Sequence, residues 1–156
     1  MSGGRIEIKR EDPRAPDVAR LVRDLDGMFN RLYPAESNHL IDIETLAAPD
    51  IHFFVARRDG EALGCGALWH RDPAYGEIKR VYVRPEARGL KLSKLILAAL
   101  EQNARAHGYK TIKLETGTLQ PEAMGLFVKY GFTRCGPYAD YPVDDPFSVF
   151  MEKTVA

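Results

Sequence analysis

The junction between an expected strand and an expected helix carries the residues best suited to chemistry. Residues 81–93 read VYVRPEARGLKLS; Pro85 ends the strand, and a helix with one apolar face begins at Leu92. The first backbone N–H groups of a helix have no intrahelical partners, and the helix dipole places partial positive charge beside them. An anion such as a diphosphate fits that position.

Side chains at this junction also favour an anion. Gly89 lets the backbone approach a ligand closely, and Arg88, Lys91 and Lys94 add positive charge. The hydroxyl of Ser93 can donate to a phosphate oxygen or cap the helix. Taken alone, these features are compatible with two interpretations, an anion site or an ordinary connection into a capped helix.

Residue periodicity predicts the elements that position the junction. Strands are expected over residues 5–10, 52–57, 62–70, 75–83, 111–116 and 148–153. Helices are expected from an N-cap at Asp17 to Pro34, over residues 92–107, and from Pro121 to Gly131, with a short helix within residues 35–50. The apolar face of the second long helix is expected to contain Leu92, Leu95, Ile96, Ala99 and Leu100.

The element order indicates an α/β fold, with one domain over residues 1–156. Two short hairpin connections, Asp59-Gly60 and Asp72-Pro73, favour a largely antiparallel central sheet flanked by helices.

Composition excludes several classes of function. The chain has 156 residues, and 22 Lys and Arg balance 22 Asp and Glu, so neither nucleic acid nor a charged membrane surface is an expected partner. No apolar run approaches the ~20 residues of a membrane span. Two cysteines and the absence of an apolar leader favour a cytoplasmic location. The four histidines lack metal-ligand spacing, so no metal is expected.

Two motifs occur together in this chain. The first is Val83-x-Pro85-x-x-Arg88-Gly89 before a helix, preceded by the strand EIKRVYV at residues 77–83; the second is Leu126-Phe127-x-Lys129-x-Gly131-Phe132. This pair resembles the motifs of the GNAT (GCN5-related N-acetyltransferase) superfamily. The resemblance covers essentially the whole chain. It implies a GNAT-like acyl-CoA N-acyltransferase fold that binds acetyl-CoA. The implied cofactor-binding residues are Val81, Tyr82, Val83, Arg88, Gly89, Leu90, Lys91, Leu92, Ser93, Phe127 and Lys129.

The resemblance also implies how the strand end is used. A β-bulge there splays two strands, and backbone amides of Val81, Tyr82 and Val83 bind the pantetheine arm and polarise the thioester carbonyl. The chain departs from the usual loop at two positions, where Lys91 replaces Gly and Ser93 replaces Gly or Ala. Because a helical first turn does not demand a positive φ, Lys91 is expected to be compatible with binding.

The resemblance assigns the general base to Glu77, acting directly or through water. The alternative is a solvated glutamate at the start of the strand, paired with Lys79 or Arg80. A base is needed because an amine near its ordinary pKa is mostly protonated at neutral pH.

The general acid is less clearly marked. Many superfamily members have Tyr where this chain has Phe127, which has no proton to donate. Tyr138 and Tyr141 are candidates because they follow in a later loop and could face substrate; protonation of the thiolate by solvent is the alternative. Acidic residues in the same loop, 136–146, could attract a cationic amine or form a solvated surface.

These features predict an N-acetyltransferase that moves an acetyl group from acetyl-CoA to a primary amine of a small molecule, by direct transfer in a ternary complex. The alternative is a non-catalytic acyl-CoA-binding or regulatory module. An unrelated nucleotide binder is disfavoured, because neither Gly-x-x-x-x-Gly-Lys-Ser/Thr nor Gly-x-Gly-x-x-Gly is present. The resemblance is compatible with a homodimer, which no sequence feature demonstrates.

Overall fold

Seven strands form one sheet in the computed structural model, which describes residues 4–35, 42–88 and 91–155. Their spatial order is β1-β2-β3-β4-β5-β7-β6, and the pairings are antiparallel except for β4 against β5. The strands are β1 (Ile6–Arg10), β2 (Ile51–Arg58), β3 (Glu61–Trp69), β4 (Gly76–Val83), β5 (Thr111–Gly117), β6 (Thr133–Cys135) and β7 (Ser148–Thr154). The predicted fold class, a largely antiparallel α/β sheet with flanking helices, is confirmed.

Helices cover both faces of the sheet. They are α1 (Pro16–Leu32), α2 (Ile43–Leu46), α3 (Leu92–Ala106) and α4 (Pro121–Lys129), and a 3-10 turn at Pro85–Ala87 follows β4. On one face α1 packs Val18 and Leu21 against β2 and β3. On the other face α3 packs Ile96 and Leu100 against Ile78 of β4. Across the described ranges, no helix is both long and apolar enough to cross a membrane.

Two details of the helices correct the sequence predictions. Helix α1 begins at Pro16 and not after an N-cap at Asp17, because proline suits the first helical position, where its missing N–H is not needed. Asp17 instead accepts a hydrogen bond of 2.7 Å from Arg57 Nη1. In α3, Leu95 was expected on the buried face but is 42% exposed, whereas Leu97, which was not expected there, is buried.

The stretch at 35–50 contains the predicted short helix. It is α2, whose N-cap Asp42 accepts a hydrogen bond of 2.8 Å from the backbone N–H of Thr45. Residues 36–41 of that stretch lie outside the described residues.

A β-bulge in β4 divides that strand. Lys79 pairs with Ala67 and Tyr82 pairs with Cys65, so Arg80 and Val81 together oppose one residue, Gly66. Arg80 takes a positive φ of 59° to make the extra step. Gly66 is required at this position, because a Cβ there would lie 2.6 Å from Ile96 Cγ2.

Past Ile78, just before the bulge, β4 separates from β5. The parallel pairing begins at Gly76 with Ile112 and ends at Ile78 with Leu114. The two strands therefore form a fork, and the edge of β4 that faces the fork is not paired with β5.

Three histidines that are distant in sequence stack at the far end of α3. The ring centroids of His52 and His70 are 4.1 Å apart, and those of His70 and His107 are 4.2 Å apart. Asn103 Oδ1 lies 3.1 Å from a ring nitrogen of both His52 and His70, and Tyr109 Oη lies 3.2 Å from His70 Nδ1. Burial lowers the pKa of His70 to about 4. In the part of the chain that is described, no cluster of His, Cys, Asp or Glu side chains is arranged to hold a metal ion.

Candidate functional site

A groove of about 420 Å³ runs along the end of β4, between α1 and α4. Residues from α1, β4, the start of α3 and α4 line it. It brings together six of the residues that the sequence singled out for cofactor binding: Val81, Tyr82, Val83, Arg88, Ser93 and Phe127.

The N-terminus of α3 opens at one end of this groove. The helix has 15 residues and starts at Leu92, so its dipole is fully developed. Among the described residues no side chain caps it, and Ser93 lines the groove without forming a cap. The first-turn N–H groups of α3 are therefore suited to an anion.

Lys91 corrects one expectation about the loop. It is the N-cap of α3 and lies in the left-handed region, with φ 60° and ψ 25°. The dihedrals of a helical first turn do not apply to it, because the N-cap stands just outside the helix. For a residue with a Cβ, this left-handed conformation is roughly 1–2 kcal/mol less favourable than the right-handed one. Two further residues of the predicted loop, Gly89 and Leu90, lie outside the described residues.

Two other predicted cofactor residues are placed away from the groove lining. The side chain of Leu92 is 1% exposed and belongs to the hydrophobic core. Lys129 is exposed at the end of α4 and does not line the groove. Phe127 does line it, and its buried ring makes an edge contact with Phe132, at 5.7 Å between centroids.

A smaller recess of about 80 Å³ closes the inner end of the groove, at the fork between β4 and β5. The two cavities share four wall residues, Val81, Gln120, Ala123 and Phe127. The recess adds charged side chains, Lys79 and Arg80 from β4 and Glu115 from β5. A ligand that lies along the groove can therefore present its end to charged groups.

Glu77 lies behind the recess and is fully buried. Its Oε1 accepts a hydrogen bond of 2.9 Å from Arg71 Nε and lies 2.7 Å from Arg71 Nη2. Its Oε2 accepts hydrogen bonds from Tyr141 (2.5 Å) and Tyr138 (3.3 Å) and lies 3.5 Å from Lys79 Nζ. The interpretation of Glu77 as a solvated glutamate is therefore wrong, although its predicted pairing with Lys79 is present.

The side chains of Tyr138 and Tyr141 pack against the sheet and are shielded from solvent. Each is 8% exposed, and both pack against Phe150. Burial, reinforced by the nearby charge of Glu77, raises the pKa of both phenols far above the ordinary range. Both hydroxyls therefore keep their protons and donate to Glu77 at neutral pH.

Lys79 connects this buried cluster to the recess. Its ammonium donates a hydrogen bond to Tyr141 Oη, and its side chain also lines the recess. Burial lowers the pKa of Lys79, while the charge of Glu77 acts in the opposite direction. Sequence reasoning missed this role; the available signal was that Lys79 shares a face of the strand with Glu77, two residues away.

Arg71 is a second residue that sequence reasoning missed. It binds Glu77, stacks over Trp69 with 4.1 Å between the guanidinium carbon and the ring centroid, and lies 3.4 Å from Asp140. Asp140 belongs to the loop 136–147, which also holds Tyr141. Arg71 therefore ties that loop to the start of β4.

The bulge turns Arg80 towards α1. Its Nε lies 3.2 Å from Asp26 Oδ1, without the alignment of a hydrogen bond. Burial raises the pKa of Asp26 and lowers that of Arg80, so the pair adds little free charge to the recess wall.

Comparison with known proteins gives a consistent result. The model of the Acetyltransferase (GNAT) family matches residues 18–132. The chain is 46% identical over 149 residues to a protein of Azospirillum brasilense named IAA acetyltransferase, covering 95% of this chain and 97% of that one.

Solved structures with the same fold include a Klebsiella pneumoniae protein provisionally named an acyl-CoA N-acyltransferase. It is 34% identical, with a TM-score of 0.81 and coverage of 97% of this chain and 98% of that one. An aminoglycoside 6′-N-acetyltransferase in complex with coenzyme A has a TM-score of 0.75 at 17% identity, covering 96% of this chain and 97% of that one. At that identity the likeness concerns the fold.

Proposed function

The chain belongs to the Acetyltransferase (GNAT) family, and from this premise we propose that it transfers an acetyl group from acetyl-CoA to a primary amine of a small molecule within a ternary complex. One observation carries the proposal. The groove leads from the uncapped N-terminus of a long helix to a charged recess at a strand fork. That path suits a long donor with a diphosphate at one end and a thioester at the other.

The donor is proposed to lie with its diphosphate at α3. First-turn N–H groups of α3, the hydroxyl of Ser93 and the guanidinium of Arg88 would hold the phosphate oxygens. The coenzyme A bound to the aminoglycoside 6′-N-acetyltransferase of the same fold supports this class of donor. Lys129, outside the groove lining, would act only as an exposed positive charge.

The pantetheine arm is proposed to follow β4 from Val83 to Val81. Because β4 and β5 diverge after Ile78, the backbone of β4 beyond the bulge offers N–H and C=O groups to an added strand-like ligand. The same N–H groups would polarise the thioester carbonyl as it becomes an oxyanion. Phe127 would pack against the arm from the opposite wall.

Glu77 is proposed to assist proton removal through neighbouring groups. It has no surface in the recess, whereas Lys79 does, and Tyr141 lies between them. The incoming ammonium would lose its proton, through water, towards the carboxylate of Glu77. The ammonium of Lys79, which lines the recess, would give a proton to the departing thiolate and regain one from Glu77. Tyr141 and Tyr138 would hold Glu77 and Lys79 in place, so that no tyrosine at position 127 is needed.

Calorimetric titration with acetyl-CoA, followed by thiol release with a panel of amines, tests the proposal. We expect saturable binding, and turnover with at least one amine. Failure to bind acetyl-CoA at millimolar concentration would contradict the proposal, whereas tight binding without turnover across the panel would favour the non-catalytic module.

A matched pair of variants tests the position of the diphosphate. Ser93→Asp places a carboxylate in the first turn of α3, where it favours the helix but repels a phosphate. We expect about a tenfold or greater loss of acetyl-CoA affinity, close to 1.4 kcal/mol, without loss of stability. Ser93→Asn, similar in size and neutral, should bind nearly as well as the parent. Equal affinity of the two variants for acetyl-CoA would contradict the proposed position of the diphosphate at this end of α3.

A further inference from the structure

A depression of about 360 Å³ adjoins the groove on the side of α1. Four arginines from two separate parts of the chain line it. Arg23 and Arg31 come from α1, and Arg84 and Arg88 come from the connection between β4 and α3.

Positive charge in this depression is only partly balanced. Its lining contains one carboxylate, Asp24, which lies 2.6 Å from Arg84 Nη1. Arg88 approaches Glu122 at 3.7 Å, but both side chains are largely exposed, so this pair contributes little. Within residues 4–35, 42–88 and 91–155, Arg23 and Arg31 have no carboxylate at ion-pair distance.

The arginines of α1 are arranged to act together. Arg23, Gly27 and Arg31 are spaced by four residues, which places them on one face of the helix. Nη1 of Arg31 lies 3.4 Å from the position that a Cβ on Gly27 would take. The guanidinium therefore lies back along the helix, over Gly27, which lines the depression.

The depression is continuous with the proposed donor site. Met28, Tyr82 and Arg88 line both the depression and the groove. With a diphosphate at Arg88 and Ser93, the next anionic group of coenzyme A is the phosphate monoester on its ribose. Guanidinium groups suit such a group, because their paired N–H donors match phosphate oxygens.

We propose that this depression binds a phosphate monoester, through Arg23 and Arg31 together with Arg84 and Arg88. The inference rests on the proposed function where the phosphate belongs to coenzyme A. The same chemistry would accept a phosphate group from a separate molecule, and the two sources can be distinguished.

The test compares coenzyme A with 3′-dephospho-coenzyme A by calorimetry, in the parent protein and in Arg23→Gln/Arg31→Gln. We expect the parent to prefer coenzyme A by about tenfold or more, and the double variant to reduce that ratio to near one while its affinity for the dephospho compound is unchanged. Arg20→Gln is the control; it removes an exposed arginine of α1 that does not line the depression and should preserve the ratio.

A titration with inorganic phosphate completes the test. The parent could bind inorganic phosphate without discriminating the two coenzymes. If the double variant then loses phosphate binding, the site is supported and its phosphate comes from a molecule other than coenzyme A. A preference for coenzyme A that survives in the double variant, or the absence of both coenzyme discrimination and arginine-dependent phosphate binding, would overturn the inference. A parent protein that binds neither coenzyme A nor 3′-dephospho-coenzyme A would instead contradict the proposed donor.

Discussion

The two halves of β4 have opposite character, although they belong to one continuous strand. Before the bulge, Glu77 and Lys79 are buried, and their charged atoms contact Arg71 and Tyr141. After the bulge, Val81 and Tyr82 are half-buried and line an open groove. The bulge thus separates a closed polar cluster from a binding edge.

The difference follows from what pairs with each half. Up to Ile78, β4 has β3 on one side and β5 on the other. Tyr141 contacts both Glu77 and Lys79, which are buried, so their charges must find partners within the protein. Beyond Ile78, β5 has moved away, and the free edge of β4 can pair with a ligand. A fully satisfied buried network is rigid, which suits the task of holding a recess wall in one geometry.

The largest expected effect comes from the closed half. Glu77→Gln removes the charge that balances Arg71 and Lys79, and we expect the free energy of unfolding to fall by about 3 kcal/mol. If Glu77 supports proton transfer, turnover should fall by about 100-fold or more, while acetyl-CoA affinity changes little. Urea unfolding, titration and turnover measured on one preparation separate these effects.

Tyr138→Phe is the matched control for that variant. Its hydroxyl donates a longer hydrogen bond of 3.3 Å to the same carboxylate oxygen, and its removal leaves the Arg71 contacts intact. We expect a loss of about 1 kcal/mol in stability and a small change in turnover. Turnover that survives in Glu77→Gln, in protein shown to be folded, would assign the cluster a purely structural role.

A smaller effect is expected where the chain leaves β3 and reaches the closed half. His70 immediately precedes Arg71 and faces His52, His107, Tyr109 and Asn103, with Arg10 also contributing charge. Its pKa in the folded state is lowered from 6.5 to about 4, so the unfolded chain binds its proton first as the pH falls. The stability that neutral His70 contributes is therefore present above about pH 6.5 and lost towards about pH 4.

Because the ring is partly exposed, we expect this loss to be roughly 1–2 kcal/mol. His70→Asn should flatten the pH dependence of the unfolding free energy, since asparagine does not titrate in this range. Parallel profiles for parent and variant between about pH 7.5 and pH 4.5 would show that the histidine stack does not couple folding to protons.

Local patterns predicted the elements, because each amphipathic helix and hairpin carries its own signal. Asp59 and Gly60, for instance, both take positive φ in the tight turn that their identity suggested. Strand β6 was missed because three residues are too few to show alternation. It becomes a strand only by pairing with β7.

The candidate site was predicted where it depends on one segment and missed where it depends on several. Arg88 and Ser93 lie in one short segment between β4 and the start of α3. The contacts of Glu77 with Tyr138 and Tyr141, in contrast, join residues more than sixty positions apart. A loop rich in proline and acids gives no local indication that its tyrosines enter the core. The histidine stack was missed for the same reason.

The smallest effect that sharpens the comparison lies where the open half of β4 leads into α3. Lys91 holds a left-handed conformation that glycine adopts without strain, so Lys91→Gly relieves roughly 1–2 kcal/mol in the folded state. Glycine also increases the entropy of the unfolded chain, which offsets about 0.4–1 kcal/mol of that gain. We expect a net rise of about 0.5–1 kcal/mol in the unfolding free energy, measured with urea.

Lys94→Gly is the control for the sign of that change. It removes the same charge from an exposed position inside α3, where the helical conformation disfavours glycine, and should cost about 1 kcal/mol. Opposite signs for the two substitutions would show that the entrance to α3 is conformationally strained in the free protein. If Lys91→Gly is also destabilising, the left-handed conformation of Lys91 does not strain the entrance to α3 in the free protein.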